Sequence, residues 1–219
     1  WKYLMKNEFE KRLFTSFLII PLSLYFIIEG SFFFIFFLSI IFLIAIYEWF
    51  NLTKNLDIIK IIGTILIFFS VYSAYLLRDE QGVYVFLFII LISIFTDLGG
   101  YFFGKIFKGP KLTKISPNKT YSGALGSFIL SIVAGTTYLN LLMGNMYYPF
   151  EEHIKIIFFI FIISLTSQLG DLIISFFKRI AKIKNTGKIL PGHGGLLDRI
   201  DGIIFAIPFS YLILNYLKF

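Results

Sequence analysis

Long apolar runs constrain this chain more than any other feature of its sequence. Several stretches hold roughly 18 or more residues dominated by Phe, Ile and Leu, and 58% of the 219 residues are hydrophobic. Roughly 20 such residues cross the hydrocarbon core of a bilayer as a helix, whereas soluble domains hold about 45–50% apolar residues. The sequence therefore predicts an all-α fold, a polytopic transmembrane helical bundle.

Seven membrane spans are predicted, and they leave no stretch long enough for a separate soluble domain. Their approximate bounds are 13–28, 31–47, 58–77, 83–103, 122–143, 154–177 and 202–217. We interpret the whole chain, residues 1–219, as one integral membrane domain. Within it, residues 1–95 form scaffold helices, 96–202 carry the catalytic helices and cytoplasmic loops, and 203–219 form the last span. The basic start resembles a signal peptide, but no small-residue cleavage site follows, so a retained helix is expected.

The positive charges predict the orientation of these spans. With the N-terminus in the cytoplasm, 17 of the 20 Lys and Arg residues lie in cytoplasmic segments, as the positive-inside rule requires. The net charge of +7 is then explained by topology, and no nucleic-acid partner is expected. The chain has no cysteine, which excludes thiol chemistry.

Aspartates within or beside the spans indicate function, because an ionised acid at mid-membrane costs about 2.5–3.5 kcal/mol. Asp97 and Asp171 each lie seven residues before the cytoplasmic boundary of a predicted span. At 1.5 Å per residue, both are expected roughly 10 Å below the same surface. Asp198 and Asp201 lie at the cytoplasmic start of the last span. Four acids are therefore expected in one layer.

The spacing of these acids favours a metal site. Asp171, Ser175 and Lys178 are spaced i, i+4, i+7 on one helical face, and Asp198 and Asp201 are spaced i, i+3. Two or three carboxylates facing lysines are the arrangement expected for Mg²⁺ that holds phosphate groups. The predicted metal ligands are Asp171, Asp198 and Asp201. The alternative is that Asp171 pairs with a lysine and Asp201 caps the last span.

A glycine-rich loop before Asp198 suits a phosphate group. Gly192, Gly194 and Gly195 allow the backbone to approach an anion closely, and the helix that follows directs its first amides at that anion. The alternative is a loop that is only flexible. We expect His193 to hydrogen-bond a neighbour or a substrate phosphate, in preference to acting as a base or a metal ligand.

Two blocks of residues form a recognisable pattern over about residues 96–202. The first contains Ser175, Lys178, Arg179, Lys184, Pro191, His193, Gly194, Gly195, Asp198, Arg199 and Asp201. The second contains Asp97, Tyr101, Gly104, Lys105, the run Ser116-Pro117-Asn118-Lys119-Thr120 and Gly123. Together they resemble the signature of the phosphatidate cytidylyltransferase (CDP-diglyceride synthase) family. Asn185 and Ser122 stand where that family usually has acids, which argues against an acidic role at these two positions.

The resemblance implies an enzyme of phospholipid biosynthesis. Its reaction transfers CMP from CTP to phosphatidate and gives CDP-diacylglycerol and pyrophosphate, by in-line attack of the phosphatidate phosphate on the α-phosphorus of CTP. It also implies Mg²⁺ dependence, a second monovalent cation such as K⁺, and a homodimer among membrane lipids. The expected location is the bacterial inner membrane, with the active site on the cytoplasmic side.

The site residues take their expected roles from this pattern. The catalytic residues are predicted to be Asp198, Asp201, Lys178 and Arg199. The substrate-binding residues are predicted to be Ser116, Lys119, Thr120, Ser175, Arg179, Lys184, His193, Gly194 and Gly195. For Lys119 the alternative is a charge that only sets topology.

Two other functions are compatible with parts of the sequence. A CTP-dependent lipid kinase acting on a polyprenol or phytol-type alcohol would transfer the γ-phosphate instead of CMP. An ion or lipid transporter would distribute its acids across the membrane depth, whereas these acids cluster at one face.

Overall fold

The computed structural model describes residues 2–54, 56–113, 116, 119–143 and 150–217. Its helices are α1 (Lys2–Glu29), α2 (Ser31–Leu52), α3 (Asp57–Glu80), α4 (Gly82–Phe107), α5 (Tyr121–Met143), α6 (Phe150–Ile180), α7 (Leu197–Ile200) and α8 (Ile203–Leu217). Within these ranges the β pairing is limited to two isolated bridges, Lys111 with Thr120 and Leu190 with Gly194. The predicted all-α fold is confirmed.

Six helices are long and apolar enough to cross a membrane. The qualifying segments are Glu10–Glu29, Ser31–Leu52, Asp57–Glu80, Gly82–Phe107, Tyr121–Leu142 and Glu151–Ile180. The seventh predicted span coincides with α8, whose 15 residues include Pro208. That helix is shorter than the roughly 20 residues that a straight spanning helix needs. The chain is an integral membrane protein.

The second predicted span was given an approximate end at residue 47, directly before Glu48. Instead α2 continues to Leu52, and Glu48 is fully buried. A charged residue continues a helix without penalty where its carboxylate finds hydrogen-bond donors inside the fold.

The chain divides into two compact units. Unit 1 comprises Trp1–Tyr75 and Phe177–Ile200, and unit 2 comprises Leu76–Phe176 and Asp201–Phe219. The sequence-based description of one membrane domain stays a prediction.

In unit 1, Trp49 of α2 contacts residues of two other helices. Its indole N–H donates to the Lys60 carbonyl over 3.1 Å, and its ring meets Phe177 edge-on with centroids 5.2 Å apart. Gly63 makes room for it, since a β-carbon there would lie 2.1 Å from the indole. Trp49 thereby ties α2 to α3 and to the end of α6.

In unit 2, small residues bring α4 and α5 into close contact. A β-carbon at Gly99 would lie 2.5 Å from the carbonyl oxygen of Gly126, and one at Gly123 would lie 2.7 Å from that of Gly100. Membrane helices commonly associate through such small residues, because burial of apolar surface does not drive helices together in lipid. This close pair forms one wall of the cavity described next.

Candidate active site

A partly polar cavity of about 280 Å³ lies in unit 2, between α4, α5, α6 and the loop before α5. Its polar side chains include Asp97, Ser116, Lys119, Thr120, Gln168 and Asp171. Five of these six were singled out from the sequence. Asp97, Ser116, Lys119 and Thr120 belong to the second block of the pattern, and Asp171 was selected by its depth in the sixth predicted span.

Asp171 and Lys119 form an ion pair in this cavity. The Lys119 ammonium nitrogen lies 2.5 Å from Asp171 Oδ2, and the two side chains are 25% and 27% exposed. Ser175 donates to Asp171 Oδ1 over 3.2 Å, as expected for residues on one helical face. The lysine pairing that was the alternative to metal binding at Asp171 is thus present. Because the pair lines a cavity, an incoming anion has access to the lysine.

Tight turns in the loop before α5 present Ser116 and Lys119 to the cavity. The Lys119 amide donates to the Ser116 carbonyl over 3.0 Å, and the Leu112 amide donates to the Lys119 carbonyl over 2.8 Å. Thr120 caps α5, since its hydroxyl accepts from the Gly123 amide over 3.1 Å. Pro117 and Asn118, which belong to the same sequence block, lie outside the described residues.

Polar residues inside the helices form the inner wall of the cavity, and the sequence analysis missed them. The Thr96 hydroxyl donates to Ser164 over 2.9 Å, and the Ser127 hydroxyl donates to the Thr96 carbonyl over 2.7 Å. Gln168 lines the cavity as well. The signal was available, because Ser164, Gln168 and Asp171 are spaced i, i+4, i+7 in an apolar span.

A second cluster, in unit 1, surrounds Asp198. The Lys178 ammonium lies 2.9 Å from Asp198 Oδ1, and the two side chains are only 13% and 8% exposed. Asp198 Oδ2 accepts from the amides of Thr186 over 2.8 Å and Gly195 over 3.1 Å. Three donors therefore hold this carboxylate in one orientation.

Asp201 follows α7 instead of continuing it, because the helix ends at Ile200. The i, i+3 spacing of Asp198 and Asp201 therefore does not place them on one face of a helix. Asp201 is 7% exposed, and its Oδ1 accepts from the Gly202 amide over 3.0 Å. In unit 2 its carbonyl lies against Gly170, where a β-carbon would be 2.6 Å away.

The other predicted substrate residues of unit 1 lie at the surface or in the glycine-rich loop. Arg179, Lys184 and Arg199 are exposed. Arg199 donates to the His193 carbonyl over 2.7 Å, and the His193 Nε2 lies 3.3 Å from the Ser16 hydroxyl. Partial burial, followed by the nearby Arg199 charge, lowers the pKa of His193 below 6.5.

In unit 1, Glu48 was assigned no role in the sequence analysis. Its carboxylate accepts from the Thr186 hydroxyl over 2.8 Å and from the amides of Leu196 and Leu197 over 3.0 and 2.8 Å. A β-carbon at Gly195 would lie 2.5 Å from Glu48 Oε2. The anion that Gly195 approaches closely in the structure thus belongs to the chain itself. The substrate-binding roles of Gly194 and Gly195 stay predictions.

The cavity residues fit Mg²⁺ better than the Asp198 cluster does. Within the described ranges, no group of three or more His, Asp or Glu side chains is arranged to hold a metal ion. Mg²⁺ commonly uses one or two protein carboxylates plus substrate phosphate oxygens, and Asp97 and Asp171 line one cavity. Both oxygens of Asp198 already accept hydrogen bonds. The assignment of Asp171, Asp198 and Asp201 as metal ligands stays a prediction.

Several known proteins are similar in sequence to this chain. A profile described as the cytidylyltransferase family matches residues 57–217. The phosphatidate cytidylyltransferase of Brucella suis biovar 1 (strain 1330) is 38% identical over 149 residues, which is 66% of this chain and 52% of the relative. That of Helicobacter pylori is 34% identical over 152 residues, 69% of this chain and 53% of the relative. That of Bacillus subtilis (strain 168) is 38% identical over 137 residues, 62% of this chain and 49% of the relative. The chain spans about half the length of these curated relatives.

Proposed function

We infer that this chain, which belongs to the cytidylyltransferase family, transfers CMP from CTP to phosphatidate. The products are CDP-diacylglycerol and pyrophosphate. The observation that carries the proposal is the family match over residues 57–217, which includes every residue of the Lys119–Asp171 cavity. The relatives named above carry the same activity in their names.

The chemistry suits a site without a strong general base. A phosphate monoester has its second pKa near 6, so phosphatidate is mostly dianionic at pH 7. One of its phosphate oxygens forms a bond to the α-phosphorus of CTP, the bond from that phosphorus to the bridging oxygen breaks, and pyrophosphate leaves. The difficulty is to bring two polyanions together, so cations and hydrogen-bond donors in a fixed position supply most of the catalysis.

The cavity of unit 2 is proposed to receive the phosphate groups. Lys119 would exchange part of its pairing with Asp171 for a substrate phosphate, and Ser116 and Thr120 would bind the same group through their hydroxyls. Asp97 and Asp171 line the same cavity and would hold Mg²⁺. When bound, that ion would stabilise the charge that develops on the pyrophosphate.

In unit 1, Asp198 and Lys178 are assigned as catalytic residues. They are the most buried of the charged residues that the sequence pattern selects there. Arg179 and Arg199 are exposed and carry charge suited to neutralising phosphates. Lys184 is exposed as well and is proposed to bind the nucleotide phosphates.

The setting of the reaction is part of the proposal. Because 17 of the 20 Lys and Arg residues fall on one side of the predicted spans, we place the site on the cytoplasmic side of the bacterial inner membrane. CTP then arrives from water while phosphatidate presents its headgroup at the interface. A second cation such as K⁺ and a homodimeric state follow from the family resemblance alone.

Product analysis tests the activity. The detergent-purified protein is given CTP with and without phosphatidate and Mg²⁺, and lipid and nucleotide products are separated. We expect CDP-diacylglycerol and pyrophosphate only when all three are present. Release of CDP with a phosphorylated polyprenol would instead establish the lipid kinase. No CTP consumption with either lipid would overturn the proposal.

A further inference from the structure

The carboxylate of Glu48 is the most deeply buried charged group of unit 1. It is 0% exposed and lies in α2, outside the residues that the family profile matches. Its described partners are all donors from the segment Thr186–Leu197. Burying a carboxylate is costly unless hydrogen bonds replace its water. Here the loop itself supplies those bonds, so the carboxylate and the loop order each other.

Thr186 links Glu48 to the catalytic aspartate. Its hydroxyl donates to Glu48 Oε2 over 2.8 Å, while its backbone amide donates to Asp198 Oδ2 over 2.8 Å. Gly195 lies at the other end of the same connection, because its amide also binds Asp198 and the next two amides bind Glu48. The two amides that bind Asp198 Oδ2 are therefore adjacent to donors that bind Glu48. Thr186 binds both carboxylates, and Gly195 directly precedes Leu196.

The loop is also shaped around this carboxylate. A β-carbon at Gly187 would lie 2.4 Å from Glu48 Oε1, and one at Gly195 would lie 2.5 Å from Oε2. Two glycines of the loop are thus required by the position of a side chain that is about 140 residues away along the chain. The fit is specific to a carboxylate, because both of its oxygens receive N–H donors.

We propose that Glu48 is a positioning residue for nucleotidyl transfer: it fixes the segment Thr186–Leu197 so that the amides of Thr186 and Gly195 hold Asp198 against Lys178. This inference rests on the proposed function. Glu48 is buried, so it acts through the loop and does not touch substrate. Groups that are misplaced by about 1 Å lose roughly 100-fold in rate, so removal of this support lowers kcat more than it raises KM.

Glu48→Gln is the principal test. An amide replaces one acceptor oxygen by a donor, which then faces the donors of the loop. We expect kcat to fall roughly 10- to 100-fold, with KM for CTP changed less than about threefold. Hydrogen exchange at the amides of Thr186, Gly195, Leu196 and Leu197 should become faster. Thr53→Val is the matched control, since Thr53 is fully buried directly after the end of α2 and its hydroxyl donates to the Trp49 carbonyl; it should leave kcat and the loop exchange unchanged.

A second pair of variants guards against simple loss of folding. Thr186→Val removes one donor to Glu48 and should lower kcat, whereas Thr186→Ser keeps the hydroxyl and should restore it. Wild-type kcat in folded Glu48→Gln and Thr186→Val would overturn the proposal. So would failure of both variants to fold, which would assign the contact to stability alone. If the wild type performs no CTP:phosphatidate transfer, the proposed function fails, and the exchange measurement still reports whether Glu48 holds the loop.

Discussion

The two lysine–aspartate pairs of this protein differ in what surrounds them. Lys119 and Asp171 in unit 2 line a cavity, and each is about a quarter exposed. Lys178 and Asp198 in unit 1 are 13% and 8% exposed, and backbone amides occupy the second oxygen of the aspartate. The same two residue types thus form an open pair in one unit and an enclosed pair in the other.

This difference favours a different role for each pair. The open pair can exchange its partner for a ligand, whereas the enclosed pair keeps its side chains in a fixed position. An ion pair beside a cavity is partly solvated, so its partners can be traded for a ligand at little cost. An enclosed pair is costly to separate, because each charge that is left alone lies in a poorly solvated site. We therefore expect substitutions in the open pair to change catalysis first, and substitutions in the enclosed pair to change folding stability and catalysis together.

Asp198→Asn should have the largest effect. It leaves the Lys178 ammonium buried without its counter-charge, and we expect a loss of about 3–5 kcal/mol in the free energy of unfolding. Cytidylyltransfer should fall below detection. Thermal unfolding in detergent and product formation measure the two effects.

The double variant Asp198→Asn, Lys178→Met provides the control for charge. It removes both partners and should recover most of the lost stability without recovering activity. If Asp198→Asn alone unfolds at the wild-type temperature, the pair is not enclosed in the way described.

Lys119→Met should come next, and it acts on catalysis. Under the proposed function Lys119 stabilises the charge that develops on phosphate, so its loss should lower kcat roughly 100-fold. Stability should change by no more than about 1 kcal/mol, because the pair is partly exposed. Lys155→Met is the matched control in the same unit, since Lys155 pairs with Glu152 at 2.8 Å on α6 away from the cavity. Equal losses of activity in Lys119→Met and Lys155→Met would mean that Lys119 acts only as a charge that sets membrane topology.

The members of both lysine–aspartate pairs were selected from the sequence, whereas Glu48, which binds the loop around the enclosed pair, was not. The spacing that puts Asp171 and Ser175 on one helical face, and the short run that contains Ser116 and Lys119, can be recognised from neighbouring residues in the sequence. Glu48 lies in an apolar run outside both blocks of the sequence pattern. Its partners lie 138 to 149 residues away, and no local pattern reports them.

The last predicted span agrees with the structure to within one residue. It was expected over residues 202–217, and α8 begins at Ile203 and has 15 residues. Its start is set by the turn at Asp201 and Gly202, where Gly202 packs against Ser167 so closely that a β-carbon would be 2.4 Å from its hydroxyl.

Gly187→Ala tests the enclosed cluster without changing any charge. Its methyl group would lie 2.4 Å from Glu48 Oε1, so the loop must shift, and we expect a loss of about 1–3 kcal/mol in the free energy of unfolding. The matched rescue is Gly187→Ala with Glu48→Asp, which shortens the carboxylate by one methylene and recovers space. If Gly187→Ala alone is neutral in thermal unfolding, the loop is not packed against Glu48.

Acidification should have the smallest effect, and it should act on the glycine-rich loop of unit 1. Partial burial lowers the pKa of His193 below 6.5; the charges of Arg199 and Arg12 lower it further, against a backbone hydrogen bond with Pro191. Well above pH 6.5 the imidazole is neutral in both the folded and the unfolded chain, so its protonation does not affect stability there. Below pH 6.5 the unfolded chain binds the proton more readily, and stability falls until the pH drops through the lowered pKa of the folded state.

The measurement that isolates His193 is the difference in unfolding temperature between pH 7.5 and 5.5 for wild type and His193→Gln. The variant should show a smaller decrease, because glutamine does not titrate. His153→Gln, on α6 in unit 2, is the control for the replacement of a histidine by glutamine. If His193→Gln shows the same decrease in unfolding temperature as the wild type, acid acts elsewhere in the molecule. A smaller decrease confined to His193→Gln would place the acid sensitivity in the loop that precedes Asp198.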